Sequence, residues 1–401
     1  MDEPLDPRIR ALLDRADVAR ARTHIYEDDA RTIREQTELT EIPAPPFGEG
    51  PRGRRMAALM AEAGLERVET DSVGNVHGWW GPASGAPVVL SAHLDTIFPA
   101  GTDVRVRRSG DRLVGPGISD DGRGLAALLA LARAFVHARP ALARPVLFVA
   151  TVGEEGEGDL RGARHLFRAD GPARGAHAFL SLDGAGLSRI VSGGLGARRF
   201  RITVRGPGGH SWVDWGTPNP IHALAHAVAG FTELALAHEP RTTLSVGRWA
   251  GGTSVNAIPQ DAWVELEVRS ESLVEIDRLD ARIRGGAATA LAGANASANG
   301  RGRAELGIEV IGDRPAGATD PQHPLVRAAI AATHTVGGVP ELTVSSTDSN
   351  IPMSLGIPAI TLGAGGEAGL AHTSAEWYRN EGGPDGIVRG LLTVLLSAGT
   401  G

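Results

Sequence analysis

The 401-residue chain predicts an α/β fold with a mostly parallel sheet, interrupted by an inserted α+β module of four strands and two helices. Three observations carry that expectation. Short apolar runs at residues 88–92, 146–152, 178–182 and 359–362 alternate with helical patterns, as strands covered on both faces do. From about residue 197 the pattern becomes a polar–apolar alternation. Arg199-Phe200-Arg201-Ile202-Thr203-Val204-Arg205 is the clearest case, and it suits a half-exposed antiparallel strand. Beyond residue 313 the buried pattern resumes. The expected organisation is therefore 1–196 and 314–401 as two parts of one layered domain, with 197–313 inserted between them.

In chain order, residues 11–39 form a charged helical pattern, followed by the proline-rich loop Ile42-Pro43-Ala44-Pro45-Pro46-Phe47-Gly48. Residues 53–63 read as a second helix. The strand at 88–92 runs into His93. Residues 125–137 are small or apolar nearly all round, so that helix is expected beneath a sheet. Strands at 146–152 and 178–182 follow. In the insertion the alternation recurs at 242–249, 262–268 and 305–311, with helices at 221–237 and 273–291 between. Residues 292–303, rich in Gly, Ala and Asn, are expected to be a surface loop. A helix at 324–334 and a strand at 359–362 complete the layered domain.

Composition narrows the chemistry. The 40 basic residues are all arginine, and there is no cysteine. Lysine Schiff bases, a lysine P-loop, thiolate metal sites, disulfides and cysteine nucleophiles are thereby excluded. Any metal must be held by the 13 histidines and 47 acids. A net charge of -7 gives no general attraction to nucleic acid or an anionic membrane. The acidic start, Met1-Asp2-Glu3-Pro4-Leu5-Asp6-Pro7, has no apolar signal-peptide core. The apolar stretch 124–138 is broken by Arg133 and too short to span a bilayer. The expectation is a cytoplasmic chain without nucleic-acid or membrane partners.

Ligands of open α/β sheets bind at the carboxyl ends of the strands. Here those ends collect ionisable groups: His93-Leu94-Asp95-Thr96, Gly153-Glu154-Glu155-Gly156, Asp183-Gly184, and Ala371-His372-Thr373 beyond the last strand. The turn Gly115-Pro116-Gly117-Ile118-Ser119-Asp120-Asp121-Gly122 delivers two more acids just before a helix. Carboxylates crowded at one sheet edge repel unless a cation neutralises them. His93 and Asp95 share one face of an extended strand, so the acid can orient the imidazole. Adjacent Glu154 and Glu155 suit one metal ligand and one general base. Two histidines with several carboxylates match Zn²⁺ first, with Mn²⁺ or Co²⁺ as alternatives.

Those motifs occur in order with Gly208-Gly209-His210-Ser211 and Val255-Asn256-Ala257-Ile258-Pro259. Together they resemble the M20 family of dinuclear zinc peptidases and amidohydrolases, which includes glutamate carboxypeptidases, peptidase T-like enzymes and aminoacylases. The resemblance runs from about residue 36 to about 390. It implies a zinc-peptidase catalytic domain with a lid and dimerisation domain inserted. It implies that His93 and Asp183 hold one zinc, Glu155 and His372 the other, and that Asp120 bridges both. Asp95 would orient His93, and Glu154 would take a proton from the bridging water and pass it to the leaving amine. His210 would reach the partner subunit's site across a homodimer and steady the oxyanion, with Asn256 contributing a similar hydrogen bond. Arg269 is the candidate for a substrate carboxylate.

The implied substrate is a small peptide or an N-acyl amino acid. The leading expectation is an exopeptidase or di/tripeptidase, and the alternative an N-acyl-amino-acid deacylase or carbamoyl-type amidohydrolase. A metal-free binding homologue is the rival from another class. Where many relatives carry lysine after the bridging acid, this chain has Asp120-Asp121-Gly122-Arg123, so Arg123 is expected as a structural cation and Asp121 as a helix cap. Thr347-Asp348-Ser349-Asn350 resembles a peptidase T-like loop. His222 and His226, four apart on a helix, are expected to be structural. Glu157 and Asp159 are expected to be solvated, and Trp79, Trp80, Trp212 and Trp215 to pack as aromatics, with the lining of a substrate pocket as the alternative.

Overall fold

The computed structural model describes residues 6–298 and 300–399. Met1 to Leu5, on which most of the N-terminal expectation rests, lie outside the described residues. The chain divides into two compact units, residues 1–194 with 318–401, and residues 195–317.

The larger unit is built on a nine-stranded sheet. Its centre is parallel: Val146–Thr151 pairs with Val88–His93, that strand with Ala178–Leu182, and that one with Ala359–Leu362. Every residue of these four strands is buried. Alternate side chains enter two cores, with Val88 and Leu90 on one face and Val89 on the other, because successive residues of a strand point to opposite sides. The Gly122–Ala138 helix is buried along nearly its whole length and packs in the first core, as its apolar composition requires. Antiparallel strands extend the sheet at its flanks, Val76–Trp80 and Glu66–Thr70 on one side and Arg189–Gly194 on the other.

Several elements differ from the expectation. Residues 11–39 are three helices, Pro7–Leu13, Ala16–Glu27 and Asp29–Thr40, each ended by a local break rather than continued. The Gly383–Ala398 helix was not expected, although Pro384 at its first turn is a proper helix start. The flanking strands and a four-stranded antiparallel sheet of three-residue pieces (Glu367–Gly369, Trp377–Arg379, Arg112–Val114, Arg107–Ser109) are too short or too polar to announce themselves.

The second unit is a four-stranded antiparallel sheet in the order Thr242–Gly251, Asp261–Ser270, Gly196–Arg205, Glu305–Arg314. The Pro220–Thr232 and Leu273–Ala296 helices pack on it around Phe200, Ile202, Val264, Leu266, Leu279 and Ile283. Residues expected to be a loop from 292 onward begin as the last turn of that long helix. Among the described residues no helix is long and apolar enough to cross a membrane.

Candidate metal centre

Because the four central strands are parallel, their carboxyl ends share one edge. His93 closes its strand, opposite Thr151 in register. Glu154 and Glu155 follow Thr151 through Gly153, whose positive φ of 65° turns the chain back. Asp183 follows Leu182, where its N–H donates to the Leu362 carbonyl at 2.9 Å. Asp120 arrives on the turn before the Gly122–Ala138 helix, and His372 on the loop after the last central strand.

The histidines meet through one carboxylate. His93 Nε2 lies 3.0 Å from Asp120 Oδ1, and His372 Nε2 lies 3.0 Å from Asp120 Oδ2. His372 Nε2 is also 3.0 Å from Glu155 Oε1. Asp120 thus turns one oxygen toward each imidazole. Among the described residues three groups offer donor atoms that, within each group, lie within 4.8 Å of one another: His93, Glu154 and Glu155; His93, Asp121 and Asp183; and Asp120, Glu155 and His372. All five expected ligands fall in these groups.

The electrostatics fit a divalent cation. Burial pushes Asp121 well above the usual carboxylate range, and burial together with the charge of Asp120 raises Asp183. Burial alone would lower His93, but Asp121, Asp120 and Asp95 outweigh it and hold the imidazole well above its ordinary value. Hydrogen bonds with Asp120 and Glu155 push His372 up to about 10. So much negative charge at a buried site calls for a positive partner. A donor set of imidazole and carboxylate without thiolate suits Zn²⁺, Mn²⁺ or Co²⁺.

The role expected of Asp95 needs refinement. His93 Nδ1 lies 3.0 Å from the Asp95 main-chain carbonyl and 3.7 Å from its carboxylate, so the backbone is the closer orienting acceptor. The carboxylate instead accepts the N–H groups of Glu154 at 2.9 Å and Glu155 at 2.8 Å. Asp95 therefore fixes the turn that carries both glutamates. Asp121 caps its helix as expected, accepting from Gly124 N–H, and it also accepts the N–H groups of His93 and Gly184. Arg123 is fully buried and donates to the carbonyls of Ala364 and Gly383, the structural cation anticipated.

Three further buried residues lie beside the site, two of which, Arg52 and Glu376, escaped the sequence reading. Arg52 donates to the carbonyls of Ile42, Leu94 and Thr40, clamping the segment that holds Asp95. Asp348 accepts the Thr151 hydroxyl at 2.6 Å, and burial holds its carboxyl up at about 6. Glu376 accepts main-chain N–H groups of the Asp120 turn. A peptidase T-like loop pointed to Asp348. Nothing in the sequence pointed to the other two.

The remaining expected residues lie in the second unit. Gly209 and His210 pair antiparallel with Ile258 and Ala257, and Ser211 N–H donates to the Asn256 carbonyl at 3.0 Å, so the His210 and Asn256 segments run side by side. His210 is exposed and its Nδ1 accepts the Trp212 N–H at 3.2 Å, which leaves Nε2 as the protonated, donating nitrogen of the neutral ring. Asn256 Oδ1 accepts the Ser254 hydroxyl at 2.6 Å. Arg269 does not offer an open fork: its Nε donates to Glu267 Oε1 at 2.5 Å, and Arg199 shares the same carboxylate. Trp212 and Trp215 are 84% and 77% exposed, which corrects the expectation that they pack as aromatics. His222 and His226 are exposed on their helix and line a groove of about 740 Å³, and neither falls in a candidate metal group among the described residues.

A family model described as peptidase family M20/M25/M40 matches residues 89–394. Protein YqjE of Bacillus subtilis is 27% identical over 367 residues, which cover 87% of this chain and 93% of YqjE. A succinyl-diaminopimelate desuccinylase of Stenotrophomonas maltophilia is 28% identical over 253 residues, 57% of this chain and 65% of that enzyme. Among solved structures, aminopeptidase PepT from Bacillus cereus has a TM-score of 0.73 at 22% identity, covering 92% of this chain and 98% of PepT. At that identity the structural likeness speaks for the fold alone.

Proposed function

The chain belongs to peptidase family M20/M25/M40 and is a hydrolase, and from that membership we propose that it cleaves an amide or peptide bond in a small, carboxylate-bearing substrate at a two-metal centre. One observation carries the reading: the Asp120 carboxylate lies between His93 and His372, one oxygen 3.0 Å from each. His93 and Asp183 would hold one divalent ion, Glu155 and His372 the other, with Asp120 shared. Zn²⁺ is the leading candidate. Bound there, such ions would polarise the scissile carbonyl and make water more acidic.

The chain's own residues do the rest. Glu154 is 5% exposed and is placed by the bond from its N–H to Asp95. It takes the proton of the attacking water and delivers it to the leaving nitrogen. His93 is oriented by the Asp95 carbonyl and Asp120 by the backbone of its turn. His210, as a neutral imidazole with Nε2–H, donates to the developing oxyanion, and Asn256 adds a second donor through its amide nitrogen. We assign the His210–Asn256 unit to a lid, and its contribution to the site of a second copy in a homodimer. Arg269, engaged with Glu267, is not assigned to the substrate.

A second reading is favoured by the match to a desuccinylase: removal of an N-acyl or N-carbamoyl group by the same residues. Protein stripped with chelator, reloaded with Zn²⁺, Mn²⁺ or Co²⁺ and offered dipeptides, tripeptides, N-acyl and N-carbamoyl amino acids separates the two by amine release. Turnover on peptides alone supports the peptidase. Turnover on acylated amino acids alone supports the alternative, and inert metal-loaded protein across the panel overturns both.

A further inference from the structure

Two loops converge on the candidate centre from distant parts of the chain, one carrying Asp120 and the other His372. The buried carboxylate of Glu376 helps join them. Glu376 is fully buried. Its Oε2 accepts the Gly117 N–H at 3.0 Å, and its Oε1 accepts the Ser119 and Asp120 N–H groups at 2.8 and 2.9 Å. Its own carbonyl accepts the Gly115 N–H at 2.9 Å. Immediately afterwards Trp377–Arg379 pairs antiparallel with Arg112–Val114, the strand that leads into the same turn. On the other side, the Glu376 N–H donates to the Thr373 carbonyl, one residue beyond His372.

The turn is shaped for this contact. Gly117 has φ +76°, and a Cβ there would come within 2.7 Å of the Thr96 side chain, so only glycine lets its N–H face the carboxylate alongside those of Ser119 and Asp120. Three N–H donors converge on the two carboxylate oxygens, which favours the ionised form against the burial that raises Glu376 to about 7. The last of those donors is the main chain of the residue set between both histidines.

We propose that Glu376 is a positioning residue of the metal centre: it clasps the Gly117–Asp120 turn to the His372 segment, so that the Asp120 carboxylate faces His93 and His372 together. This rests on the two-metal reading. Glu376 touches neither substrate nor ion; it acts through Asp120. Glutamine has the same shape but only one acceptor oxygen. Its NH₂ group would confront either the Gly117 N–H or the Ser119 and Asp120 pair, donor against donor.

The test compares metal-free wild type with Glu376→Gln. Zn²⁺ affinity is measured by chelator competition, the Co²⁺ absorption spectrum is recorded, and the metal-free Tm, kcat and KM are determined. The expected result is about a 10–100-fold loss of metal affinity, as when other outer partners of ligands are removed, with a changed Co²⁺ spectrum and kcat falling more than KM rises. A folded Glu376→Gln protein with wild-type affinity, spectrum and kcat overturns the proposal even if its Tm drops, because the bonds then serve stability alone. If Glu376→Gln does not fold, Glu376→Asp replaces it. That variant keeps the charge but retracts it by one methylene, and wild-type affinity in it is equally fatal. Wild-type protein that binds no divalent metal defeats the two-metal reading itself, whereas normal metal binding by both proteins defeats only the role of Glu376.

Discussion

The two regions that carry the expected functional residues are built in opposite ways. At the strand ends of the larger unit, three ligand candidates are held by groups from other segments: Asp95 grips the Glu154–Glu155 turn, Asp121 the His93 backbone, and Glu376 the Asp120 turn. In the inserted unit, His210 and Asn256 sit on exposed loops tied mainly to each other and to immediate neighbours, among bare Trp212, Trp215 and Val255. The first region has its geometry before any ligand arrives, which is what charge-stabilising sites need. The second has an exposed donor among exposed apolar side chains. Backbone hydrogen bonds hold the buried charges of the first region in place, whereas the role proposed for exposed His210 requires the surface of a second copy.

That contrast can be broken most severely at Asp120. Asp120→Ala should drop bound metal from two ions per chain toward none and take turnover to background, read by metal analysis of the dialysed protein. Two retained ions would show that the histidines do not depend on a shared carboxylate. His210→Ala should leave metal content unchanged and lower kcat by about 10²–10³-fold, the usual effect of losing an oxyanion donor. Mixing it with Glu154→Gln protein should restore part of the activity, since each chain supplies what the other lacks; no recovery at any ratio would weigh against a histidine shared between chains.

A smaller effect follows from protonation. In metal-free protein His372 is raised from 6.5 to about 10 by hydrogen bonds with Asp120 and Glu155. Its contribution to stability is therefore full below pH 6.5 and lost as pH rises through about 10. Metal must displace that proton. The Tm of the metal-free protein should fall between those limits, while the rise in Tm on adding Zn²⁺ grows; a metal increment independent of pH would contradict the ligand role of His372. Smallest of all, Arg269→Ala should change KM by less than about fivefold, because the guanidinium already serves Glu267 in a partly exposed pair. A large KM effect would return Arg269 to the substrate site.

Much of this was readable in the sequence, for a physical reason. The central strands are uninterrupted apolar runs because both faces are covered, and the acids and His93 follow them directly, so strand ends and candidate ligands could be read together. The flanking strands, such as Glu66–Thr70, are mostly exposed and carry no such run. Glu376 was hidden for another reason: its partners are backbone N–H groups 256 to 259 residues away, and backbone groups leave no mark on residue type. Arg52, which collects three carbonyls, was hidden in the same way. Arg269 shows the converse, a suitable side chain whose neighbour two residues earlier already occupies it.

Glu154 is proposed to move the proton at a centre whose metals its neighbours would hold. Glu154→Gln, reloaded with metal and assayed on the best substrate of the panel, tests it in one experiment. Two bound ions per chain and a kcat reduced by about 10²–10⁴-fold are expected. Two bound ions with near wild-type kcat would contradict it.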